Sequence, residues 1–422
     1  MFHTDTSNTS DLIKLSDLLA VPRRPNHRVS EAILEPQNLI ECELFIVLML
    51  MQRKTSDFHE TLSASLATIG TFRKELGAAL DLLDRDPFPP RALNVDEVEE
   101  WFKDREGDLT ALFKVLTIAR AEKPSRFALV GPPGIGKTSL LSAVSRALEA
   151  RRGDIESQIG GKIRVQVDSL ESLIPQSSED GEEMEEGHPF FRYLGSLHPE
   201  TDLLVLDDCD RSWRVLPEML SRLAYHRPRL AILLVLTITS WRGLLKESQF
   251  LESLTTSSIV RPMSRPQIID LLSARLRDSR AIDDDALERI GTASGGVPGF
   301  AVRLARRSLL LAKQRTLAKV TEAFVEEVAP TTPTLESAEA SHKKLTKIEL
   351  EIADTFLDSW EGMSADEVAD RWRIDRSTAV GHLTAMWEKG ALTRTRYGRR
   401  VKYRLGEDLR VKLEIDAARE WM

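Results

Sequence analysis

Nine consecutive residues combine glycines, a lysine and two hydroxyls at the spacing that binds phosphate. Glycine allows the backbone to curl, so that successive N–H groups point inward at phosphate oxygens. A lysine after the last glycine can reach the β- and γ-phosphates, and the next hydroxyl can ligate Mg²⁺. We therefore predict a site for a nucleoside triphosphate, taken to be ATP, with Mg²⁺. Its residues are Gly131, Pro132, Pro133, Gly134, Ile135, Gly136, Lys137, Thr138 and Ser139.

The segments on either side of this glycine loop predict the elements that position it. Arg126–Val130 is a short apolar run suited to a buried strand, and Ser139–Leu148 has helical apolar spacing. A strand, a glycine loop and a helix together place phosphates at a helix N-terminus. The helix dipole and the free N–H groups favour anions there.

Two adjacent carboxylates follow a second apolar strand, Leu203–Leu206. At the carboxyl end of a strand beside the loop, Asp207 can hold Mg²⁺ together with Thr138. Asp208 can orient or deprotonate the water that attacks the γ-phosphate. The alternative is that both carboxylates only cap the next helix. The distance of about 70 residues from a glycine loop favours the metal role.

A third apolar strand is predicted at Leu230–Ile238, with Thr237, Thr239 and Ser240 at its end. We assign Thr239 a catalytic role, because a polar side chain there could contact the γ-phosphate or the attacking water. A turn that is simply capped by hydroxyls is the alternative.

Composition predicts an ordinary protein of the cytoplasm. The 422 residues carry a net charge of −8, and the two cysteines, Cys42 and Cys209, suggest neither a disulfide framework nor a metal cluster. The polar N-terminus lacks the features of a signal peptide. The longest apolar run, Leu44–Met51, is too short to span a membrane, so no membrane contact is expected.

Composition shifts along the chain predict several domains. Residues 1–90 are expected to form an N-terminal helical region, with 1–30 loosely ordered and a helical hairpin over about 31–84 that packs on the next domain or self-associates. The prolines from Pro87 to Pro90 end this region. Strands alternating with helices over 91–262 predict a parallel α/β sheet, and the acidic stretch from Glu179 to Glu186 predicts a surface loop. A helical lid at 263–330, a linker at 331–342 and a last domain at 343–422 follow. The apolar face of the hairpin comprises Phe58, Leu62, Leu66, Ile69, Phe72, Leu76, Leu80 and Leu83.

Four ordered motifs over roughly residues 95–328 resemble AAA+ replication-initiator ATPases and STAND-type signalling ATPases. They are the Phe102–Leu109 segment, the glycine loop, the Asp-Asp strand with the Thr-ended strand, and the Gly295–Leu304 segment with its Gly-x-Pro turn. The resemblance implies a P-loop ATPase core with a helical lid. It also implies that Arg105 lies near the adenine and that Pro298 contributes to the nucleotide site.

The chain departs from the initiator pattern at two places. Initiator lids usually carry an arginine around the Gly-x-Pro turn, whereas this chain has Gly299 there and Arg303 one helical turn later. The second carboxylate is Asp208, where initiators often have glutamate, and aspartate at this place is more similar to the STAND-type ATPases. Both departures favour a slow nucleotide switch, and no arginine finger can be named.

The last domain resembles a winged helix-turn-helix. Helices are expected at Lys347–Leu357, at Ala365–Trp372 behind a Ser364 cap, and from Arg376 to Gly390, followed by two strand-like runs around Tyr397. Residues 343–412 contain 15 Lys and Arg against 12 Asp and Glu, so this part is positive while the whole chain is negative.

This basic domain predicts binding to double-stranded DNA. The start of the third helix would meet base edges and phosphates, and the hairpin, with six basic residues in eleven, would grip the DNA backbone or minor groove. A winged helix that contacts protein is the alternative. The expected DNA contacts are Arg376, Ser377, Thr378, Arg394, Arg396, Arg399, Arg400 and Lys402.

The sequence thus predicts a slow ATP-hydrolysing switch that binds DNA, in an initiator-like or regulatory role. The other hypothesis is a STAND-type signalling or defence ATPase, whose winged helix and N-terminal hairpin bind proteins. A helicase or remodelling motor is a third, less favoured because its lid arginine is missing.

Overall fold

The computed structural model describes residues 87–89, 91–93, 97, 102, 105–120, 125–159, 161–170, 193, 195–246, 254–277, 279–315, 317, 319–397 and 400–420. The predicted N-terminal hairpin and the acidic stretch from Glu179 to Glu186 lie outside these residues. All of the described residues belong to one compact unit, Glu75–Met422. Within them, no helix combines the length and apolarity needed to cross a bilayer.

Five parallel strands in the order β2-β3-β4-β1-β5 form the central sheet. The inner strands β3 and β4 are buried along their whole length, as expected of a parallel sheet covered on both faces. Val130 at the end of β1 lies beside Leu236 at the end of β4, so the chain leaves both strands at the same edge of the sheet. In chain order the strands are β1 (Arg126–Val130), β2 (Val165–Ser169), β3 (Leu203–Asp207), β4 (Ala231–Leu236) and β5 (Leu254–Ile259).

Helices cover the two faces of this sheet and form a core on each. One core contains Leu116 and Leu140 from the helices before and after the glycine loop. The other contains Met219 and Trp241, and Trp241 is among the largest fully buried side chains of the described residues. These helices are α1 (Glu106–Arg120), α2 (Lys137–Ala150), α3 (Arg152–Gln158), α4 (Leu216–His226) and α5 (Ile238–Leu244).

Four further helices, which we call the lid, follow β5. The turn between the second and third of them needs glycine, because Gly296 has φ 81° and a Cβ there would lie 2.1 Å from the carbonyl oxygen of Met263. Pro298 then occupies the first position of the third lid helix, where a missing N–H costs nothing. The lid helices are α6 (Arg265–Leu276), α7 (Asp284–Ser294), α8 (Pro298–Gln314) and α9 (Glu322–Val328).

The region predicted as a linker, 331–342, contains most of another helix, α10 (Leu335–Lys344). A capping box between Thr334 and Ser337 starts it, a signal that the two nearby prolines obscured. Leu335 is buried against the turn at Gly295, so this helix packs on the lid instead of spanning freely between domains.

The last part of the chain is a winged helix. An antiparallel hairpin follows three helices, and Met363 forms an isolated antiparallel bridge with Tyr403 of the hairpin. A fourth helix after the hairpin was not predicted. The elements are α11 (Lys347–Leu357), α12 (Ala365–Trp372), α13 (Arg376–Glu388), β6 (Leu392–Tyr397), β7 (Arg400–Leu405) and α14 (Glu407–Arg419).

The predicted fold class is confirmed for the parallel sheet, the helical lid and the winged helix. The third predicted strand began one residue too early and ended two residues too late, because β4 runs from Ala231 to Leu236. Thr237 instead caps α5, its side chain accepting a hydrogen bond from the N–H of Ser240. The local hydroxyl cap therefore overrides the apolar character of Ile238.

Candidate functional site

The glycine loop joins β1 to the first turn of α2 at the carboxyl edge of the sheet. Its first residue is anchored, since the N–H of Gly131 donates to the carbonyl of Leu236 at 3.1 Å. Gly136 has φ 101°, a left-handed conformation that favours glycine. The ammonium of Lys137 donates to the carbonyls of Gly131 at 2.7 Å and Pro132 at 3.3 Å, so the side chain lies along the loop. The loop therefore presents a helix N-terminus and a lysine on one side.

Thr138 and Asp207 meet beneath the loop. The Thr138 hydroxyl donates to Oδ2 of Asp207 at 2.8 Å, and Oδ1 accepts from the N–H of Asp208 at 2.9 Å. Burial raises the pKa of the Asp207 carboxyl, while both hydrogen bonds act in the opposite direction. The described residues include no cluster of three or more His, Cys, Asp or Glu side chains that could hold a metal. A divalent ion at this pair would thus need oxygens from phosphate and water as well.

Asp208 projects from the end of β3 in a left-handed conformation, with φ 53°. Aspartate tolerates this region better than most residues, and such conformations cluster at functional sites. Its carboxylate is exposed and accepts a hydrogen bond from the hydroxyl of Ser169 at 3.3 Å. The conformation therefore turns Asp208 away from the buried position of Asp207 and toward solvent at the same sheet edge.

The two threonines after β4 have different surroundings. Thr237 is buried and follows Leu236, the residue whose carbonyl holds the loop, and its N–H donates to Asp210 at 2.5 Å. Thr239 lies in the first turn of α5, where its N–H donates to Glu414 of α14 at 3.1 Å. The assigned role of Thr239 at the γ-phosphate stays a prediction, and Thr237 joins it as a candidate. Asp210 was missed, although it is the second acidic residue after β3.

Arg105 joins the loop to the segment that leads into the lid. Its guanidinium donates to the carbonyl of Ile135 in the loop at 2.9 Å and to the carbonyl of Arg261 at 2.7 Å. It also pairs with Asp108 at 3.1 Å. Burial lowers the pKa of Arg105, and Asp108 opposes that shift. The predicted nucleotide-binding role is untested, but these contacts already give Arg105 a positioning role.

The lid touches the loop through backbone atoms. The N–H of Gly299 donates to the carbonyl of Gly134 at 2.9 Å, and a Cβ on Gly299 would lie 3.0 Å from the Cα of Gly134. An arginine at this position would therefore displace the loop. Pro298 stands next to this contact, at the start of α8. Arg303 instead pairs with Glu407 of α14, through hydrogen bonds of 2.5 and 2.8 Å.

At the start of α13, the predicted DNA contacts are engaged by acidic neighbours. Arg376 pairs with Asp366 at 2.7 Å. The hydroxyls of Ser377 and Thr378 both donate to Asp375, and these bonds hold the pKa of the Asp375 carboxyl well below its usual value. Base contacts by these side chains would require this acidic cap to rearrange.

The hairpin presents the basic residues differently. Arg394, Arg396 and Arg400 are exposed, and Arg394 stacks over the ring of Trp387 at 5.7 Å. Lys402 lies 3.7 Å from Glu361, at the margin of an ion pair. Arg399 lies outside the described residues. We call Arg394, Arg396, Arg400 and Lys402 the basic wing.

No family model matches the chain. ORC1-type DNA replication protein 2 of Methanosarcina mazei is 36% identical to it over 78 residues, which are 18% of this chain and 20% of that protein. The match therefore spans only about a fifth of that relative. The predicted resemblance to replication-initiator ATPases is confirmed, because this chain is similar to an ORC1-type DNA replication protein.

Three solved structures are similar at low identity. Aeropyrum pernix ORC1 in complex with DNA has a TM-score of 0.47 and 18% identity, covering 78% of this chain and 96% of that one. Drosophila ORC bound to DNA has a TM-score of 0.44 and 15% identity, covering 81% and 91%. The RuvB Holliday junction branch migration motor of Thermotoga maritima has a TM-score of 0.40 and 20% identity, covering 77% and 98%. We assign the fold from the strand order and register given above and not from these similarities.

We expect Arg105→Ala to lower the free energy of unfolding by about 2–3 kcal/mol, because two carbonyls lose a charged donor. Urea unfolding followed by circular dichroism measures this loss. Arg91→Ala is the matched control, since Arg91 pairs with Glu97 at the surface and should change stability by less than about 1 kcal/mol. Equal losses in the two variants would contradict the positioning role of Arg105.

Proposed function

We propose that this chain is an ATP-binding switch that hydrolyses ATP slowly and binds double-stranded DNA through its basic wing. The observation that carries the proposal is the 2.8 Å contact between Thr138 and Asp207 beneath a glycine loop that the lid touches. A hydroxyl and a buried carboxylate at this distance are the oxygen ligands that a Mg²⁺–nucleotide complex requires.

The residues of the loop fit a triphosphate. The N–H groups at the start of α2 would bind phosphate oxygens, and Lys137 would move from the carbonyls of Gly131 and Pro132 to the β- and γ-phosphates. Thr138 and Asp207 would hold Mg²⁺, which supplies charge neutralisation at the phosphates when bound. Pro298 and Gly299 would close the site from the lid side.

Asp208 is the proposed catalytic group for hydrolysis. Its exposed carboxylate would orient or deprotonate the attacking water, while Thr237 or Thr239 would report on the γ-phosphate. Slow turnover is supported by two features of the lid. Gly299 stands where an arginine would be expected, and Arg303 is paired with Glu407.

The DNA-binding part of the proposal rests on the concentration of positive charge in the hairpin. Phosphates would relieve the mutual repulsion of such close cations. The curated relative is called a DNA replication protein, which supports an initiator-like or regulatory role. The proposed architecture therefore couples an ATPase core to a DNA-binding arm.

One observation favours the alternative, a STAND-type ATPase that binds proteins. Val380 and Trp387 lie seven residues apart on α13 and are 39% and 43% exposed. Exposed apolar side chains on the helix that was expected to meet DNA suit a protein partner better than DNA. The hairpin experiment below decides between the two.

We expect Lys137→Ala to abolish binding of fluorescently labelled ATP, since the charge that reaches the phosphates is removed. Equilibrium titration measures the affinity. Lys114→Ala, which removes an exposed lysine from α1, should leave it unchanged. Retained affinity in the Lys137 variant would overturn the assignment of the loop.

Asp208→Asn should leave nucleotide affinity within about twofold of the wild type and lower hydrolysis at least about tenfold, since the amide cannot accept a proton from water. Phosphate release under single-turnover conditions provides the rate. The matched control is Asp154→Asn on α3. Unchanged turnover in the Asp208 variant would remove this residue from the mechanism.

For the hairpin, we expect alanine at Arg396, Arg400 and Lys402 to weaken duplex binding strongly at low salt. Each lost phosphate contact should also reduce the slope of log affinity against log salt by about one. Fluorescence anisotropy over a salt series measures both quantities. Alanine at Lys343, Lys344 and Lys347 makes the same change in charge elsewhere and serves as the control.

The salt series separates the two functions. An effect confined to the hairpin variant supports DNA binding through the basic wing. Equal effects in both triple variants would mean that only net charge matters, and absence of duplex binding by the wild type at low salt would favour the protein-binding alternative.

A further inference from the structure

The unpredicted helix α14 packs directly against the lid. Val411 and Ile415 share a buried cluster with Val297 and Phe300, which lie at the Gly-x-Pro turn and in the first turn of α8. All four side chains are less than 5% exposed. The same turn touches the glycine loop at Gly134, so only the residues of this turn separate α14 from the loop.

A polar contact adds a second link between α14 and the lid region. Arg303 of α8 pairs with Glu407 through two hydrogen bonds, as described above. In addition, the hydroxyl of Ser337 on α10 donates to Asp408 at 2.7 Å. Both acceptors lie in the first turn of α14, where acidic side chains also favour the helix dipole.

The other contacts of α14 reach the sheet domain. Glu414 is completely buried, and its Oε2 accepts the N–H of Thr239 at the start of α5. Arg242, also on α5, donates to the carbonyl of Ala417 at 2.8 Å. Since α5 begins directly after Thr237, this contact lies beside the edge of the sheet that holds the loop.

The same helix is part of the winged helix. Leu409 and Leu413 belong to the core of that domain. The buried guanidinium of Arg410 donates to the carbonyls of Phe356 and Leu357 at 2.8 Å and stacks on Trp360 at 4.2 Å. The winged helix therefore cannot turn relative to the ATPase without either carrying α14 with it or breaking these contacts.

From these contacts we infer that α14 is a latch that fastens the winged helix to the lid and to the sheet domain at the same time. The inference rests on the proposed binding of nucleotide between loop and lid. A nucleotide that holds the lid against the loop stabilises the latched state, and opening of the latch frees the lid. By linkage, restraint of the winged helix by the latch then strengthens nucleotide binding by the same factor by which nucleotide stabilises the latch.

A charge exchange at the lid contact tests the latch without disturbing the core. Arg303→Glu and Glu407→Arg should each increase the dissociation rate of labelled ADP at least about threefold. This change is smaller than the affinity change of about fivefold or more that is typical of coupled sites, because each variant removes only one of the contacts of α14. The double exchange should return the rate to near the wild-type value, because the pair is restored with reversed polarity. Arg419→Ala, at an exposed position of the same helix, is the control.

A second pair of variants tests the contact with the sheet domain. In Glu414→Gln the amide oxygen can still accept from Thr239, so the latch should hold. Glu414→Lys places a cation at the N-terminus of α5 and near Arg410, and it should open the latch. The Thr239 amide reports this directly, since its hydrogen exchange should be slow in the wild type and the Gln variant and fast in the Lys variant.

The outcomes separate this inference from the proposed function. Fast hydrogen exchange of the Thr239 amide in the wild type would overturn the latch and leave the proposed ATP binding intact. The same holds if the Arg303→Glu and Glu407→Arg single variants release ADP at the wild-type rate. A wild type that binds nucleotide but no duplex refutes the proposed DNA function, yet the ADP rates still decide on the latch. Faster release in both single variants, with recovery in the double variant, supports it.

Discussion

The backbone contact between Gly134 and Gly299 is the constraint on which the rest of the site depends. Between the loop and the lid, Gly134 and Gly299 approach so closely that the contact is made by backbone atoms alone. Glycine on both sides permits the 2.9 Å hydrogen bond, and a side chain on Gly299 would collide with the loop. The lid is thus seated directly on the loop, and Arg105 holds the loop to the segment before the lid.

A side chain at Gly299 would require the loop to shift at this contact, and the lid arginine one helical turn later has another partner. Arg303 is paired with Glu407, which connects the lid to α14 instead of to the loop. Buried contacts of α14 with both the lid and the sheet domain give the winged helix a defined place in the structure. A nucleotide-dependent change in the lid would consequently be felt by the winged helix through packing, without a long-range mechanism.

Much of the sheet and of the loop could be predicted because local patterns decide them. Continuous apolar runs specify β1, β3 and β4, and the glycine loop carries its own conformational requirements. The capping box at Thr334 was equally local, but Pro330 and Pro333 suggested a linker there. Helix α14 has apolar residues on both faces, so its pattern lacked the single stripe of a surface helix and could not indicate which domains it joins.

The sequence by itself determined which chemical groups are present: the glycine loop with its lysine, the paired aspartates, the lid turn and the basic hairpin. Only the tertiary structure decided how these groups are used. It directed the N–H of Thr239 to Glu414, and it engaged Ser377 and Thr378 with Asp375. The physical reason is that short motifs specify backbone conformation and residue type. Partners distant along the chain are chosen by packing and by the need to pair buried polar groups.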